Sequence, residues 1–275
     1  MLIDRFNLDI LKKFLRCGIL LTSTIFILAM FFRLQLPSEY EIESLISNAP
    51  VQKETTRQPF SIDHRGTRYE ITPLADYEFW GMVVSHNNIN AFSDIYHDEN
   101  SVDIKDICVI WGNNTEGEIY KEVDFHNEPW SCRWEYDSER AYSKFDISQI
   151  SNNHLVASDS DILQKISEVN VGDQVYLSGM LVKYSPENED WERVSSLTRE
   201  DTWMGACEVV FVEKINTIKK ANREWNLAYK WSKTAFWNFL LAAVLIFFFE
   251  VFLADYIKSK WHSSRETEVG QKGSD

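Results

Sequence analysis

No stretch of this chain matches a nucleotide, metal or nucleophile motif specific enough to name a reaction, and no cofactor is implied. C-x-x-C is missing, which removes the usual redox and zinc signatures. His64, His86, His97 and His126 show no metal-ligand spacing; they read as satisfied loop histidines, with His97 beside Asp98 and Glu99 at best a loose cation site. Positive charge is scarce as well. From Pro37 through Lys230 there are 35 Asp and Glu against 18 Lys and Arg, a formal charge of −17. A field of that sign repels nucleic acid and anionic headgroups, so a nucleic-acid partner is disfavoured. Basic proteins, peptides or cations suit it better, and a purely solubilising acidic surface is the simplest explanation.

What the chain does have is two long apolar segments near its ends, residues 17–36 and 234–254. The second, TAFWNFLLAAVLIFFFEVFLA, has the roughly 20 apolar residues that cross a hydrocarbon layer. The first reaches that length if Arg33 carries its charge out to the interface along an apolar stem. A cleaved signal peptide is the alternative for it, but the run is long for that role and no A-x-A-like site follows. Arg5, Lys12, Lys13 and Arg16 precede the first segment, and Lys258, Lys260 and Arg265 follow the second. The positive-inside rule then puts both termini in the cytoplasm, against the weaker opposing signal of Lys230 and Lys233. The middle portion faces outward, into the periplasm if the cell is Gram-negative.

The expected layout is therefore a cytoplasmic N-terminus (1–16), a first transmembrane helix (17–36) and a polar stalk (37–58). An extracytoplasmic β domain (59–215), a juxtamembrane helix (216–233), a second transmembrane helix (234–254) and a cytoplasmic tail (255–275) follow. Within the domain, FSI, TRYEIT and EFWGMVVS read as strands. DICVIWG and GEIYKEVDF read as a hairpin across Asn113 to Gly117, and WSCRWEY and Tyr142 to Ile150 as further strands. Asp159 to Val169 reads as a short helix with Ile162, Leu163 and Ile166 on one face. VGDQVYLSGMLVKYS and ACEVVFVEKI complete the strands, with Gly179 marking a bend. The pattern is mainly β, a small curled antiparallel sheet or OB-like barrel with a short helix, flanked by two transmembrane helices.

Cys108, Cys132 and Cys207 lie in the domain and allow one internal disulfide; Cys108 with Cys132 is the preferred pair, and buried thiols are the alternative. Ser151, Asn152, Asn153, His154 and Leu155 crowd hydrogen-bonding groups into an expected turn, and SSLTREDTWMGACE does the same between Ser195 and Glu208. Asn152, Asn153, His154, Arg199 and Asp201 are the binding candidates. If the two segments meet, His154 serves as base or donor, Asp201 orients it, Arg199 holds an anion, and Cys207 or a serine is the nucleophile. The plain structural reading has the asparagines capping loops and Arg199 pairing with Asp201 or Glu200.

Trp80, Trp111, Trp130, Trp134 and Trp191 read as core or barrel-end packing, and Trp225, Trp231 and Trp237 as interfacial anchors. Glu250 inside the second segment demands a boundary position, a contact with Thr22 or Thr24, or self-association.

Taken together, DICVIWG, ISNNHL, GDQVYLSGMLVKY and SSLTREDTWMGACE resemble signatures of a family of bacterial two-span membrane proteins with a periplasmic β domain, from Tyr77 to Glu213 and through the flanking spans. Trp203 stands where that family has glycine. The resemblance implies a shared fold and brings no activity with it. VGDQVYLSGMLV alone is similar to a strand of OB-type barrels. The expected function is recognition or scaffolding of another envelope protein or envelope component at the inner membrane, with self-association through the spans as a further partner mode. The alternative is an envelope hydrolase with a histidine-centred site.

Overall fold

The computed structural model describes residues 2–89, 101–128, 131–198 and 207–271. In chain order the elements are α1 (Leu2–Phe32), β1 (Val51–Lys53), β2 (Phe60–His64), β3 (Thr67–Asn88), β4 (Asp103–Ile110), β5 (Val123–Glu128) and β6 (Ser131–Tyr136). They continue as α2 (Glu139–Lys144), β7 (Ile150–Val156), α3 (Ser160–Ser167), β8 (Gln174–Pro186), β9 (Arg193–Val194), β10 (Cys207–Lys219) and α4 (Arg223–Gln271). The chain divides at Arg33/Leu34 and at Asn222/Arg223 into two units.

In the unit from Leu34 to Asn222, β3 pairs with β4, β4 with β7, β7 with β10, β10 with β8, and β8 again with β3. The pairings form a closed ring. It is not wholly antiparallel as expected, because β7 and β10 run parallel; α3 and β8 intervene between them and bring the chain back in the same direction. Strand alternation sends one side chain in two into the ring. Tyr77, Phe79, Ile107, Val109, Leu155, Leu177, Leu181, Val210 and Val212 fill it, and Ile162, Leu163 and Ile166 of α3 pack on the same core. Asp159 caps that helix by accepting from the Asp161 and Ile162 amides.

Two irregularities shape the ring. Gly179 faces Val212, and a Cβ there would lie 2.0 Å from the Phe211 carbonyl oxygen, so only glycine lets β8 approach β10 where the register shifts beyond Val212. On β4 the register shifts between Asp103 and Lys105, so Asp103 and Asp106 sit opposite Val156 and His154, two residues of one face of β7.

Several expectations are corrected. DICVIWG and GEIYKEVDF do not form a hairpin: β3 and β7 occupy both edges of β4, and β5 pairs with β6 instead. Gly117 and Glu118, both with positive φ, lead into a 3-10 turn over Ile119–Glu122 that buries Ile119 and Tyr120. The segment from Tyr142 to Ile150 is the end of α2 and a 3-10 turn before β7 begins. ISNNHL is the interior of β7 and not a turn. The stretch 37–58 holds two 3-10 turns and β1, with Ile46 fully buried in the domain and Gln174 bonding Glu41 and Glu43. β10 continues to Lys219, past the expected strand end at 215.

A disulfide joins Cys108 of β4 to Cys132 of β6, with Cα atoms 5.8 Å apart. It ties the β5–β6 hairpin to the ring, and Phe125, Cys132, Trp134 and Tyr136 pack on the second core cluster with Met82, Cys108 and Ile110. Trp111 is core and Trp80 and Trp134 pack against this cluster, whereas Trp191 is exposed; Trp130 lies outside the described residues.

The other unit contains two helices long and apolar enough to cross a membrane, over Leu8–Phe32 and Arg223–Phe252. They pack antiparallel: Phe32 stacks on Trp225, Phe26 on Tyr229, and Phe14 meets Phe239 edge-on. Arg33 lies 3.8 Å over the Tyr229 ring. Glu250 pairs with Lys12. Thr22 and Thr24, considered as its partners, bond instead to carbonyls of their own helix at Gly18 and Leu20.

Candidate functional site

The outward face of the ring across β3, β4, β7 and β10 carries polar side chains where a surface in water needs none to be buried. One in-register row runs Ser85, Cys108, Asn152, Cys207, and the next runs Asn87, Asp106, His154, Val209. Ser85, Asp106, Asn152 and His154 are nevertheless buried. Cover comes from the β5–β6 hairpin, which contributes Asn127, and from the segment after β8, which contributes Arg193 on β9.

Because a buried polar group needs a partner, the network is dense. Ser85 donates to Asn127 Oδ1, and Asn127 donates to Asn152 Oδ1 at 3.1 Å. The Asn152 amide is 3.7 Å from Cys207 Sγ and 3.4 Å from His154 Nε2. His154 Nδ1 lies 2.6 Å from Asp106 Oδ1, and its Nε2 lies 2.6 Å from Arg193 Nη2. Tyr184 donates to Asp103 Oδ2 at 2.6 Å.

Burial pulls the imidazole down, but the adjacent Asp106 outweighs it and pushes His154 up to about 9, with Arg193 opposing. Burial raises the Asp103 carboxyl, and burial together with Asp103 raises the Tyr184 phenol well above its usual range. A guanidinium can only donate, so the close contact to Nε2 belongs to the neutral ring, with Nδ1–H donating to Asp106. A proton on Nε2 and Arg193 in this position exclude each other. The Arg193 contact therefore belongs to the neutral ring, and a ring protonated below about 9 must first displace Arg193 from Nε2.

The structure thus brings His154, Asn152 and Cys207 together on adjacent strands. Asn153 faces the other way, bonding Ser151 Oγ at 2.9 Å. Ser195 and Ser196 secure the start of β10, the first through the Val209 amide and the second through the Cys207 carbonyl. Arg199 and Asp201 lie outside the described residues. Among the described residues the carboxylate against His154 is Asp106, which sequence reasoning passed over; its one signal was a charge inside the otherwise apolar run DICVI. Arg193 was missed too, and nothing in its local sequence sets it apart from other exposed-loop arginines.

Chemically, a thiol, a side-chain amide, an imidazole and a carboxylate linked in sequence can move a proton and support a negative oxygen. Among the described residues no three His, Cys, Asp or Glu side chains converge to hold a metal ion. A separate cleft of about 330 Å³ lies elsewhere, lined by Pro50, Trp111, Gly112 and Gln149, and shares no residue with this network. No family model, curated protein or solved structure matches the chain.

Proposed function

We propose that this is a membrane-anchored recognition protein whose domain is an OB-type barrel that binds an envelope protein or envelope component through its polar outer face. The observation that carries the reading is the polar set Asp106, Asn152 and His154 on β4 and β7, buried beneath Arg193 and bordered by partly exposed Cys207. A five-strand ring with one parallel pair and a helix between its third and fourth strands supports the OB assignment. In OB barrels the face of the second and third strands, with the loops after the first and fourth, holds the ligand. Here those strands are β4 and β7, and the loop after the fourth ring strand carries Arg193 to that face.

The acidic balance of −17 over Pro37 to Lys230 argues against the oligonucleotide ligands of other such barrels and for a protein or neutral envelope component. Two apolar helices, basic residues outside both of them, and a disulfide support an inner-membrane protein with both termini cytoplasmic and the barrel periplasmic.

Photo-crosslinking in cells tests the reading, with the crosslinker placed at exposed Leu197 beside the face or at exposed Tyr142 of α2. A defined adduct is expected from Leu197, weakened by Asn152→Ala, and not from Tyr142. Equal adducts from both positions, or none that responds to Asn152, would remove the basis for recognition through this face.

A further inference from the structure

Cys207 begins β10, is partly exposed, and stands outside the disulfide. Its sulfur lies 3.7 Å from the Asn152 amide nitrogen, which itself lies 3.4 Å from His154 Nε2, and Nδ1 of His154 is held by Asp106. The second oxygen of Asp106, Oδ2, is buried and makes no hydrogen bond among the described residues. Asp103 Oδ1 is in the same state, but Asp106 is the carboxylate in contact with His154. A carboxylate left with spare negative charge against an imidazole fits a group that balances a transient imidazolium.

We propose that Cys207 is the nucleophile of an acyl-transfer site, with His154 as its base, Asn152 as the oxyanion donor and Asp106 as the positioning residue. This stands apart from the recognition reading and needs no partner protein. Thiol–disulfide chemistry is the competing use of a cysteine, but it calls for a resolving thiol. The other cysteine outside the disulfide, Cys17, lies in apolar α1.

In the step, the Cys207 thiol gives its proton to His154 Nε2 and its sulfur bonds the acyl carbon. The carbonyl oxygen becomes an oxyanion against the Asn152 amide. Collapse breaks the bond to the leaving group, which departs with the proton from Nε2. Water then attacks the thioester, losing a proton to Nε2, and the sulfur recovers that proton as the carboxylic acid leaves. One side-chain amide is modest oxyanion support, so the substrate class is an activated acyl group, a carboxylic ester or thioester. Arg193 occupies Nε2 at rest and must withdraw first. It sits on the two-residue strand β9.

The test uses the full chain in detergent micelles with Cys17→Ser, and p-nitrophenyl acetate as the probe. Release of p-nitrophenolate is timed, and the acetylated residue is located by mass spectrometry. The expected result is a burst matched by one acetyl group on Cys207, abolished in Cys207→Ala. His154→Gln should slow acylation by about 100-fold or more, the usual share of a general base. Arg193→Gln should speed it by freeing Nε2, an effect that a purely structural arginine would not give. Should His154→Gln fail to fold, Asn152→Ala decides the matter, because it leaves the His154–Asp106 pair intact and should cost about 100-fold. Acetylation of Cys207 at the wild-type rate in folded Asn152→Ala, or no acetyl on Cys207 in the parent chain, overturns the proposal.

Discussion

His154 and Asp106 face each other across β7 and β4, Nδ1 to Oδ1 at 2.6 Å, with neither side chain exposed. Removing one member strands the other in a low-dielectric site. His154→Ala is therefore expected to cost about 3–5 kcal/mol, while the double change to leucines should recover much of that. Protease resistance in a urea series checks both.

The same pair sets a pH dependence. His154 is held at about 9, above its ordinary 6.5. A group raised on folding contributes stability that is complete below 6.5 and is lost as the pH climbs through about 9. Thermal unfolding of the wild type should weaken across that window. In Asp106→Asn the decline should vanish, since the carboxylate that raises the imidazole is gone; a decline of unchanged size would point to another group.

Reduction of Cys108–Cys132 frees a loop closed over a sequence separation of 24. The chain-entropy view gives a loss of about 3 kcal/mol, and the β5–β6 hairpin should be the first region to open. Hydrogen exchange on the Cys108→Ala/Cys132→Ala chain, compared with wild type, reads both the size and the place of the effect.

Gly179 has no room for a side chain, since a Cβ would stand 2.0 Å from the Phe211 carbonyl oxygen. The obstacle is backbone and cannot rotate away. Gly179→Ala should destabilise the domain by about 3 kcal/mol or more, visible as a fall in the urea midpoint. An unchanged midpoint would contradict the β8–β10 approach.

Between the apolar helices, Gly18 lies against Phe239, and a Cβ there would come within 2.9 Å of the ring. Lys12 pairs with Glu250. Gly18→Leu and Glu250→Ala should each lower engineered disulfide crosslinking between α1 and α4 severalfold, with the helix content of the chain unchanged. The exchange Lys12→Glu with Glu250→Lys should restore crosslinking to the Glu250 variant.

Much of the architecture was legible in the chain because it rests on local rules. Apolar runs of sufficient length announced both membrane-type helices, and the alternation in VGDQVYLSGMLVKYS announced β8. Gly179, read as a bend, lies opposite Val212 where the register of β8 against β10 shifts, and Asp159 with Ile162, Leu163 and Ile166 marked α3. Polar ISNNHL was read as a turn because a strand of such composition is unstable alone; Asp106, Asn127 and Arg193, all distant in sequence, make it a buried strand.

The sequence by itself determined the two apolar helices and the acidic mainly β middle, and it favoured Cys108 with Cys132 without settling that pair, since length, charge and periodicity are properties of neighbouring residues. Only the tertiary structure decided that His154 meets Asp106 and Arg193. That outcome depends on the register of β4 against β7, on the shift that turns Asp103 and Asp106 to one face, and on the return of β9 over the ring. Register is set by how whole strands bury their apolar faces, and no short window of sequence contains that balance.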